Sequence, residues 1–218
     1  MKYRKKASCH HSAEYYIFLA GRGYCSTRIA LGKSLRQKQK ASNLFYEAES
    51  EEDPLRRIEY LSQAIALDPT DVDFFMNRGI DYGSTNQPDK AEADYAKALQ
   101  LSPRYPLIYN NRGYLHYTQQ KYAESIPDFD RAISLDPEYI TAYINRGAAY
   151  GMMGQHERAL VDFNKAIEID PENMQGYLNR GIYYMNIGQK ELARQDLQKV
   201  LEDEDNPMAK QYLEACSE

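Results

Sequence analysis

Side chains that could act as metal ligands, nucleophiles or general bases are few in this sequence of 218 residues. The four histidines and three cysteines are His10, His11, His116, His156, Cys9, Cys25 and Cys216. Cys9, His10, His11 and Cys25 could in principle bind zinc, but their spacing matches no familiar zinc pattern. Three scattered cysteines do not indicate a disulfide framework. We therefore expect no metal site and no catalytic histidine or cysteine.

Phosphate-binding and acid-base motifs are missing as well. Gly21-Arg22-Gly23 lacks the further glycine and the strand-to-helix context of a dinucleotide loop, and the chain has no phosphate-binding lysine motif. The carboxylates fall mainly on helix surfaces and at helix starts, where solvation and the helix dipole account for them. These observations predict a protein that is not an enzyme and uses no cofactor.

A period of 34 residues organises most of the chain. Asn-Arg-Gly occurs at 77–79, 111–113, 145–147 and 179–181. Aromatic or ring residues precede each glycine by four positions and follow it by three, and small residues follow it by twelve. These three columns are Phe75, Tyr109, Tyr143 and Tyr177; Tyr82, His116, Tyr150 and Tyr184; and Ala91, Ser125, Ala159 and Ala193. Their spacing is helical and predicts repeated helical hairpins in which glycine gives the two helices clearance.

A second pattern pairs charges at a constant distance. Every Asn-Arg-Gly arginine is followed 16 residues later by an aspartate. The pairs are Arg78 with Asp94, Arg112 with Asp128, Arg146 with Asp162, and Arg180 with Asp196. The spacing predicts a charge-assisted bond between the two helices of each hairpin. Independent exposed charges are the alternative.

These columns resemble the tetratricopeptide repeat family, whose pattern of aromatic, glycine, alanine and proline positions recurs over 34 residues. The resemblance covers four units, at 72–105, 106–139, 140–173 and 174–207. It reaches back through a degenerate unit at 38–71, where Phe45 stands at the glycine position. It implies an all-α fold, a right-handed α-solenoid of stacked helix-turn-helix hairpins. Residues 208–218 are then expected to form a C-terminal capping helix.

The same resemblance implies a function for the first helix of each unit, which lines a concave groove in this family. We expect a non-catalytic adaptor or scaffold that binds an apolar or amphipathic peptide of a protein partner. The residues expected to face the groove lie near each glycine: Met76, Asn77, Ile80, Ser84, Asn110, Asn111, Tyr114, Tyr117, Thr118, Ile144, Asn145, Ala148, Met152, Leu178, Asn179, Ile182, Met185 and Asn186. Chaperone-binding members hold a partner's terminal carboxylate with lysine and arginine, but Asp73, Leu107, Thr141 and Gln175 occupy one of those columns here.

The N-terminal region differs in charge from the array. Residues 1–40 contain ten basic side chains and one acidic one, a net charge of +9, whereas the other residues carry −14. We assign 1–37 to a basic tail, partly disordered or irregularly helical. The tail either folds back on the acidic array or binds nucleic acid or another acidic partner. For the protein as a whole, a regulatory subunit of an enzyme complex is a further alternative function.

The apolar run Tyr15–Ala20 is too short for a secretory signal or a membrane span. A cytoplasmic protein is therefore expected, and nucleic acid is not the expected main partner.

Overall fold

The computed structural model describes residues 24–203 and 205–216, which form eleven α-helices and no strand. The helices are α1 (Tyr24–Ser50), α2 (Pro54–Leu67), α3 (Val72–Ser84), α4 (Pro88–Leu101), α5 (Pro106–Thr118), α6 (Tyr122–Leu135), α7 (Ile140–Met152), α8 (His156–Ile169), α9 (Met174–Asn186), α10 (Lys190–Asp203) and α11 (Pro207–Ala215). The candidate zinc ligands Cys9, His10 and His11, and Gly21-Arg22-Gly23, lie outside these ranges. No helix within the ranges is long and apolar enough to cross a membrane.

The helices pair into hairpins, and the hairpins stack. The first helices of the four strong units, α3, α5, α7 and α9, have 13 residues each and begin at the first residue of their unit. Their partners α4, α6, α8 and α10 have 14 residues each. Each second helix packs on its own first helix and on the first helix of the next unit. The chain is therefore an all-α solenoid with a core that continues from unit to unit.

Proline sets the end of the second helix in most units. In four units the C-cap residue of the second helix is followed by proline, and its backbone is no longer helical, with φ between −137° and −142°. These residues are Asp68, Ser102, Asp136 and Asp170. A following proline disfavours the α conformation of the residue before it, so the chain turns there into the next unit.

The structure confirms the predicted clearance at the glycine column. A Cβ atom on Gly113 would lie 2.8 Å from a ring carbon of Phe129, and one on Gly79 would lie 2.9 Å from the ring of Tyr95. At Gly147 the nearest atoms are a ring carbon of Phe163 at 3.1 Å and a backbone oxygen at 3.2 Å. The second-helix aromatic residue occupies the space that a side chain on the glycine would need.

The predicted arginine-aspartate bonds are also confirmed. In each strong unit the arginine donates from Nε and Nη2 to the two oxygens of its aspartate, as in the 2.8 Å and 2.7 Å bonds from Arg146 to Asp162. Asp162 is 2% exposed, so the pair is not a surface ion pair. Hydrogen bonds to the aspartate raise the pKa of Arg78, Arg112 and Arg180. We call the four pairs the arginine-aspartate ladder.

The ladder also joins neighbouring units, which the sequence pattern did not predict. The third nitrogen, Nη1, reaches the second helix of the preceding unit in three of the four pairs. Arg78 donates to Ser62, Arg146 to Asp130 and Arg180 to Asn164. Arg112 has alanine at the equivalent position and instead lies 3.8 Å from Glu92. Each arginine thus contacts its own second helix and, in most units, the previous one.

The degenerate first unit is attached by a different ion pair. It lacks the ladder residues, with Leu44 and Tyr60 in their places. Instead Arg57 of α2 donates from Nε and Nη2 to Asp81 of α3, which is 3% exposed. Phe45, at the glycine position, packs its ring against Phe74 of the next unit. The first unit is therefore held by contacts of its own.

The helices at the two ends of the array differ in length, with 27 residues in α1 and 9 in α11. Helix α11 packs on α9 and α10 and buries Ala209 and Cys216 against the last unit. Helix α1 is 27 residues long and runs without a break across residue 37, where the sequence suggested the end of a separate tail. Residues 34–40 are exposed, and Lys38 pairs with Asp68 at the end of α2. The first half of α1 therefore projects beyond α2.

The turn inside each hairpin requires a left-handed residue, and this gives a stability prediction. Gly154 and Gly188 have φ of 72° and 76°, and Asn86 and Gln120 occupy the same position with φ of 57° and 61°. Glutamine in this region costs on the order of 1 kcal/mol relative to glycine. We expect Gln120→Gly to raise the free energy of unfolding by about 0.5–1 kcal/mol, as measured by urea titration.

The neighbouring Gln119 is the matched control, because its φ is −81°. Gln119→Gly should lower stability, since glycine only adds freedom to the unfolded chain there. Equal effects of the two substitutions would contradict the assignment of strain to Gln120.

Burial of the ladder predicts strong coupling between its partners. We expect a double-mutant cycle with Arg146→Ala and Asp162→Ala to give about 1–3 kcal/mol of coupling in the free energy of unfolding. The exposed pair Arg194 and Glu191, in which the glutamate side chain is 78% exposed, should give less than about 0.5 kcal/mol. A coupling for the buried pair no larger than that of the exposed pair would show that the ladder does not hold the hairpin together.

Candidate functional site

The residues three positions before each repeat glycine do not face a groove, contrary to expectation. Met76, Asn110, Ile144 and Leu178 are between 4% and 7% exposed. Met76 belongs to the same core cluster as Ile108 of α5, because the next unit's first helix covers this turn. This column builds the core between units and is not available to a partner.

The residues one position after each glycine are accessible. Ile80 is 42% exposed and Tyr114 51%, while Ala148 and Ile182 are half-buried. One turn later, Tyr117 and Met185 are half-buried, and Met152 is 57% exposed. We call the surface formed by these residues of α3, α5, α7 and α9 the groove face.

Two aromatic side chains form a platform in the middle of the groove face. The rings of Tyr114 and Tyr117 stack at 6.1 Å with an angle of 15° between their planes. Tyr122 of α6 packs edge-on against Tyr117, at 5.3 Å between ring centroids. The stack fixes the orientation of Tyr114 and presents a flat apolar surface.

The asparagine column makes hydrogen bonds within the chain. Asn77 donates to the backbone oxygen of Asp73, and Asn179 donates to that of Gln175, both at 2.8 Å. Asn145 donates at 3.0 Å to the side-chain oxygen of Asn110 in the preceding unit. Asn110 lies 3.5 Å from Asn111, the remaining member of the column. A primary amide has two N–H donors and one acceptor oxygen, so each asparagine of the column can still form a hydrogen bond with a partner.

A depression of about 270 Å³ lies between α7 and α9, and we call it the apolar pocket. Six of its lining residues were expected to face the groove from the sequence: Tyr117, Ala148, Met152, Asn179, Ile182 and Asn186. The others are Gly151, His156, Phe163, Tyr183 and Ile187. The pocket thus joins first-helix residues of three units to the start of α8.

The shape of the apolar pocket depends on a glycine and a tyrosine in adjacent units. A Cβ atom on Gly151 would lie 2.6 Å from the ring of Tyr183. The Tyr183 hydroxyl lies 2.6 Å from Nδ1 of His156, and burial raises the pKa of this tyrosine. The ring therefore fills the space beside Gly151 and is anchored to the first residue of α8.

The sequence pattern did not predict Gly151 and Tyr183 as pocket residues, because both stand in columns that vary from unit to unit. Two positions after the glycine the units have Asp81, Leu115, Ala149 and Tyr183, and four positions after it they have Gly83, Tyr117, Gly151 and Met185. The large Tyr183 stands opposite the small Gly151, and Leu115 is the nearest side chain to Gly83. A search for large residues facing small ones in adjacent units would have found the pocket.

A second depression, of about 130 Å³, lies between α1, α2 and α3 and contains Ile80 of the groove face and the neighbouring Asn77. Phe45 and Glu49 of α1 and the Arg57–Asp81 ion pair form the rest of its polar and aromatic lining. Beside it, burial and the charges of Asp71 and Glu49 raise the pKa of Asp73. This end of the groove face carries negative charge.

Histidine and carboxylate side chains do not come together as a metal site in the part of the chain that the structure describes. Among the residues described, no three His, Cys, Asp or Glu side chains are grouped as metal ligands would be. His116 lies 3.5 Å from Glu92 and 3.8 Å from Asp128, which is itself bonded to Arg112. This histidine borders the ladder and belongs to the packing of the hairpin.

Sequence profiles of known families match the repeats. Two profiles described as tetratricopeptide repeat match residues 140–173 and 163–195. A third, described as TPR repeat, matches 81–120 and 114–154. Together the matches extend over residues 81–195, more than half of the chain. No curated protein sequence matches it.

Solved structures share the fold. A crystal structure of MamA is 25% identical, covers 72% of this chain and 91% of its own, and has a TM-score of 0.59. PilF of Pseudomonas aeruginosa is 18% identical, covers 84% of this chain and 90% of its own, and has a TM-score of 0.68. YrrB, described as a TPR protein with an unusual peptide-binding site, is 20% identical, with coverages of 89% and 98% and a TM-score of 0.62.

The difference in burial along one helix can be tested by stability. Ile144 is 6% exposed and Met152 is 57% exposed, although both lie on α7. Ile144→Asn should lower the free energy of unfolding by about 2–5 kcal/mol, because it removes buried apolar contacts and buries an amide. Met152→Asn should change it by less than about 0.5 kcal/mol. Thermal melting measures both, and similar losses would contradict the assignment of Met152 to an accessible surface.

Proposed function

Because this chain belongs to the tetratricopeptide repeat family, we propose that it is a non-catalytic interaction scaffold whose groove face binds an apolar or amphipathic peptide segment of a protein partner. The observation that carries the proposal is the apolar pocket between α7 and α9. It lies where a segment crossing several units would pass, and accessible apolar side chains continue from it across Ala148 and Tyr114.

The charges of the groove face support an apolar ligand. Helices α5, α7 and α9 contain no Asp or Glu. Their only Lys or Arg residues are Arg112, Arg146 and Arg180, and each is bonded to a buried aspartate of the ladder. Burial of apolar area then supplies the main attraction to a partner, at roughly 25 cal/mol per Å².

Side-chain type favours a partner segment of variable sequence. Met152 and Met185 are flexible and can repack around different side chains. Tyr114 and Tyr117 offer rigid apolar area with a polar tip. Asn179 and Asn186 border the pocket with amides that can donate to or accept from a peptide backbone.

A partner that ends in a free carboxylate is disfavoured. Asp73 stands in the column where chaperone-binding relatives are expected to place a positive side chain, and its neighbours Asp71 and Glu49 add negative charge. The remaining residues of that column, Leu107, Thr141 and Gln175, are uncharged. A terminal carboxylate would gain no ion pair there and would be repelled at the first unit.

The proposal is tested by selecting peptides from a display library of random sequence with the full-length protein at low concentration. We expect the selected peptides to share bulky apolar side chains. Met152→Lys should weaken their affinity by about tenfold or more, because the charge enters the pocket lining. Isothermal titration measures the dissociation constants.

Val161→Lys on α8 is the matched control, since Val161 is an exposed apolar side chain, 66% exposed, and does not line the pocket. It should change the affinity by less than about twofold. Peptides that bind both variants equally, or a selection without apolar preference, would overturn the proposal.

A further inference from the structure

The groove face is polarised along the array. At its first end, Oδ1 of Asp73 is buried without a hydrogen-bond partner among the described residues, and Glu49 is exposed nearby. We call this the acidic end. At the other end lies the apolar pocket, on helices without a carboxylate side chain. A ligand that uses the whole face therefore has a basic end and a bulky apolar end.

The chain contains a segment with this pattern. Residues 1–23, which precede α1, carry five basic side chains and one acidic one, a net charge of +4. Four of the basic side chains are clustered within Lys2–Lys6, and the uninterrupted apolar run Tyr15–Ala20 follows. The array that would receive the segment is acidic, because residues 41–218 carry a net charge of −14.

The spacing within the segment matches the spacing on the groove face. From the acidic end at α3 to the pocket at α9 the face crosses three helix-to-helix steps, roughly 30 Å at a helix separation of about 10 Å. An extended chain advances about 3.3 Å per residue, so the ten residues from Lys6 to Tyr16 would span roughly 33 Å if they bound in an extended form. The basic cluster of the segment can therefore contact the acidic end while the apolar run contacts the apolar pocket.

The segment cannot reach the pocket of its own chain. The first half of α1 projects about 20 Å beyond α2, on the side of the array where the first helices begin. The pocket lies at the opposite ends of α7 and α9, roughly 30 Å across the array. Along the helix axes the pocket is a further roughly 35 Å away, because the projecting part of α1 and most of a first helix lie between them. The combined distance is roughly 45 Å, whereas the nine residues from Tyr24 back to Tyr15 reach at most about 32 Å. Only another copy can supply the apolar run.

We propose that residues 1–23 of one copy bind the groove face of a second copy. The inference rests on the proposed function, because it names a partner for the same groove. Lys2–Lys6 pair with the acidic end, and side chains of Tyr15–Ala20 enter the apolar pocket. Each copy offers one segment and one groove face, so the contact is head-to-tail and extends into a ring or an open chain of copies.

Two full-length variants test the contact by sedimentation velocity. The pocket variant is Met152→Lys, and the segment variant combines Ile17→Asn with Phe18→Asn. We expect the unmodified protein to assemble as concentration rises, into a reciprocal dimer or into larger species, and each variant alone to stay monomeric. An equimolar mixture should form a dimer and nothing larger, because the two variants together retain one intact segment and one intact pocket.

Matched controls are Val161→Lys on α8 and Ser12→Asn combined with Ala13→Asn in the segment, both of which should assemble like the unmodified protein. A labelled peptide of residues 1–23 should bind the segment variant at least about tenfold more tightly than a protein carrying Met152→Lys in addition. Added salt should weaken this binding, since part of it is ionic and exposed.

The outcomes separate this inference from the proposed function. If the protein stays monomeric and the peptide does not bind, while library peptides still depend on Met152, self-association is wrong and the groove takes other partners. If neither binds, both proposals fail. Assembly that persists in the pocket variant, or a mixture that grows beyond a dimer, would show that the segment contacts something other than the pocket and would overturn the inference.

Discussion

The buried bond between an arginine of the first helix and an aspartate of the second is the interaction on which the array depends. Arg146 bonds both oxygens of Asp162 and also reaches Asp130 in the preceding unit. Its guanidinium lies 5.6 Å and 6.0 Å from the ring centroids of Tyr143 and Tyr150. One side chain therefore connects three helices and explains why the aromatic columns flank it by three and four residues.

The cost of burying charge makes this bond a constraint on register. A carboxylate as buried as Asp162 is tolerated only when its partner is in place, so a shift of one helix turn would leave both charges unpaired. The degenerate first unit lacks the pair and is fixed by Arg57 and Asp81 across the unit boundary. Each junction in the array thus has a charged contact that specifies how adjacent helices meet.

The ladder also determines the character of the candidate binding surface. It binds every arginine of α5, α7 and α9 to an aspartate, and these helices carry no carboxylate of their own. The groove face is consequently uncharged from Tyr114 to Ile182. Charge is confined to the first end of the face, where Glu49 and Asp73 lie outside the ladder. Columns that are constant build the solenoid, and columns that vary give the groove its pocket and its polarity.

By itself the sequence determined the features that repeat. The 34-residue spacing of Asn-Arg-Gly predicted the hairpins, the glycine clearance and the ladder, because a contact repeated in four units appears as a column. Tertiary structure decided which faces are covered. Met76 and Ile144 have the periodicity of groove residues but are buried by the next unit. Tyr183 and His156 line the pocket although neither belongs to a constant column. Helical spacing places a residue on a face, whereas burial depends on the neighbouring unit, whose side chains at that contact differ from one junction to the next.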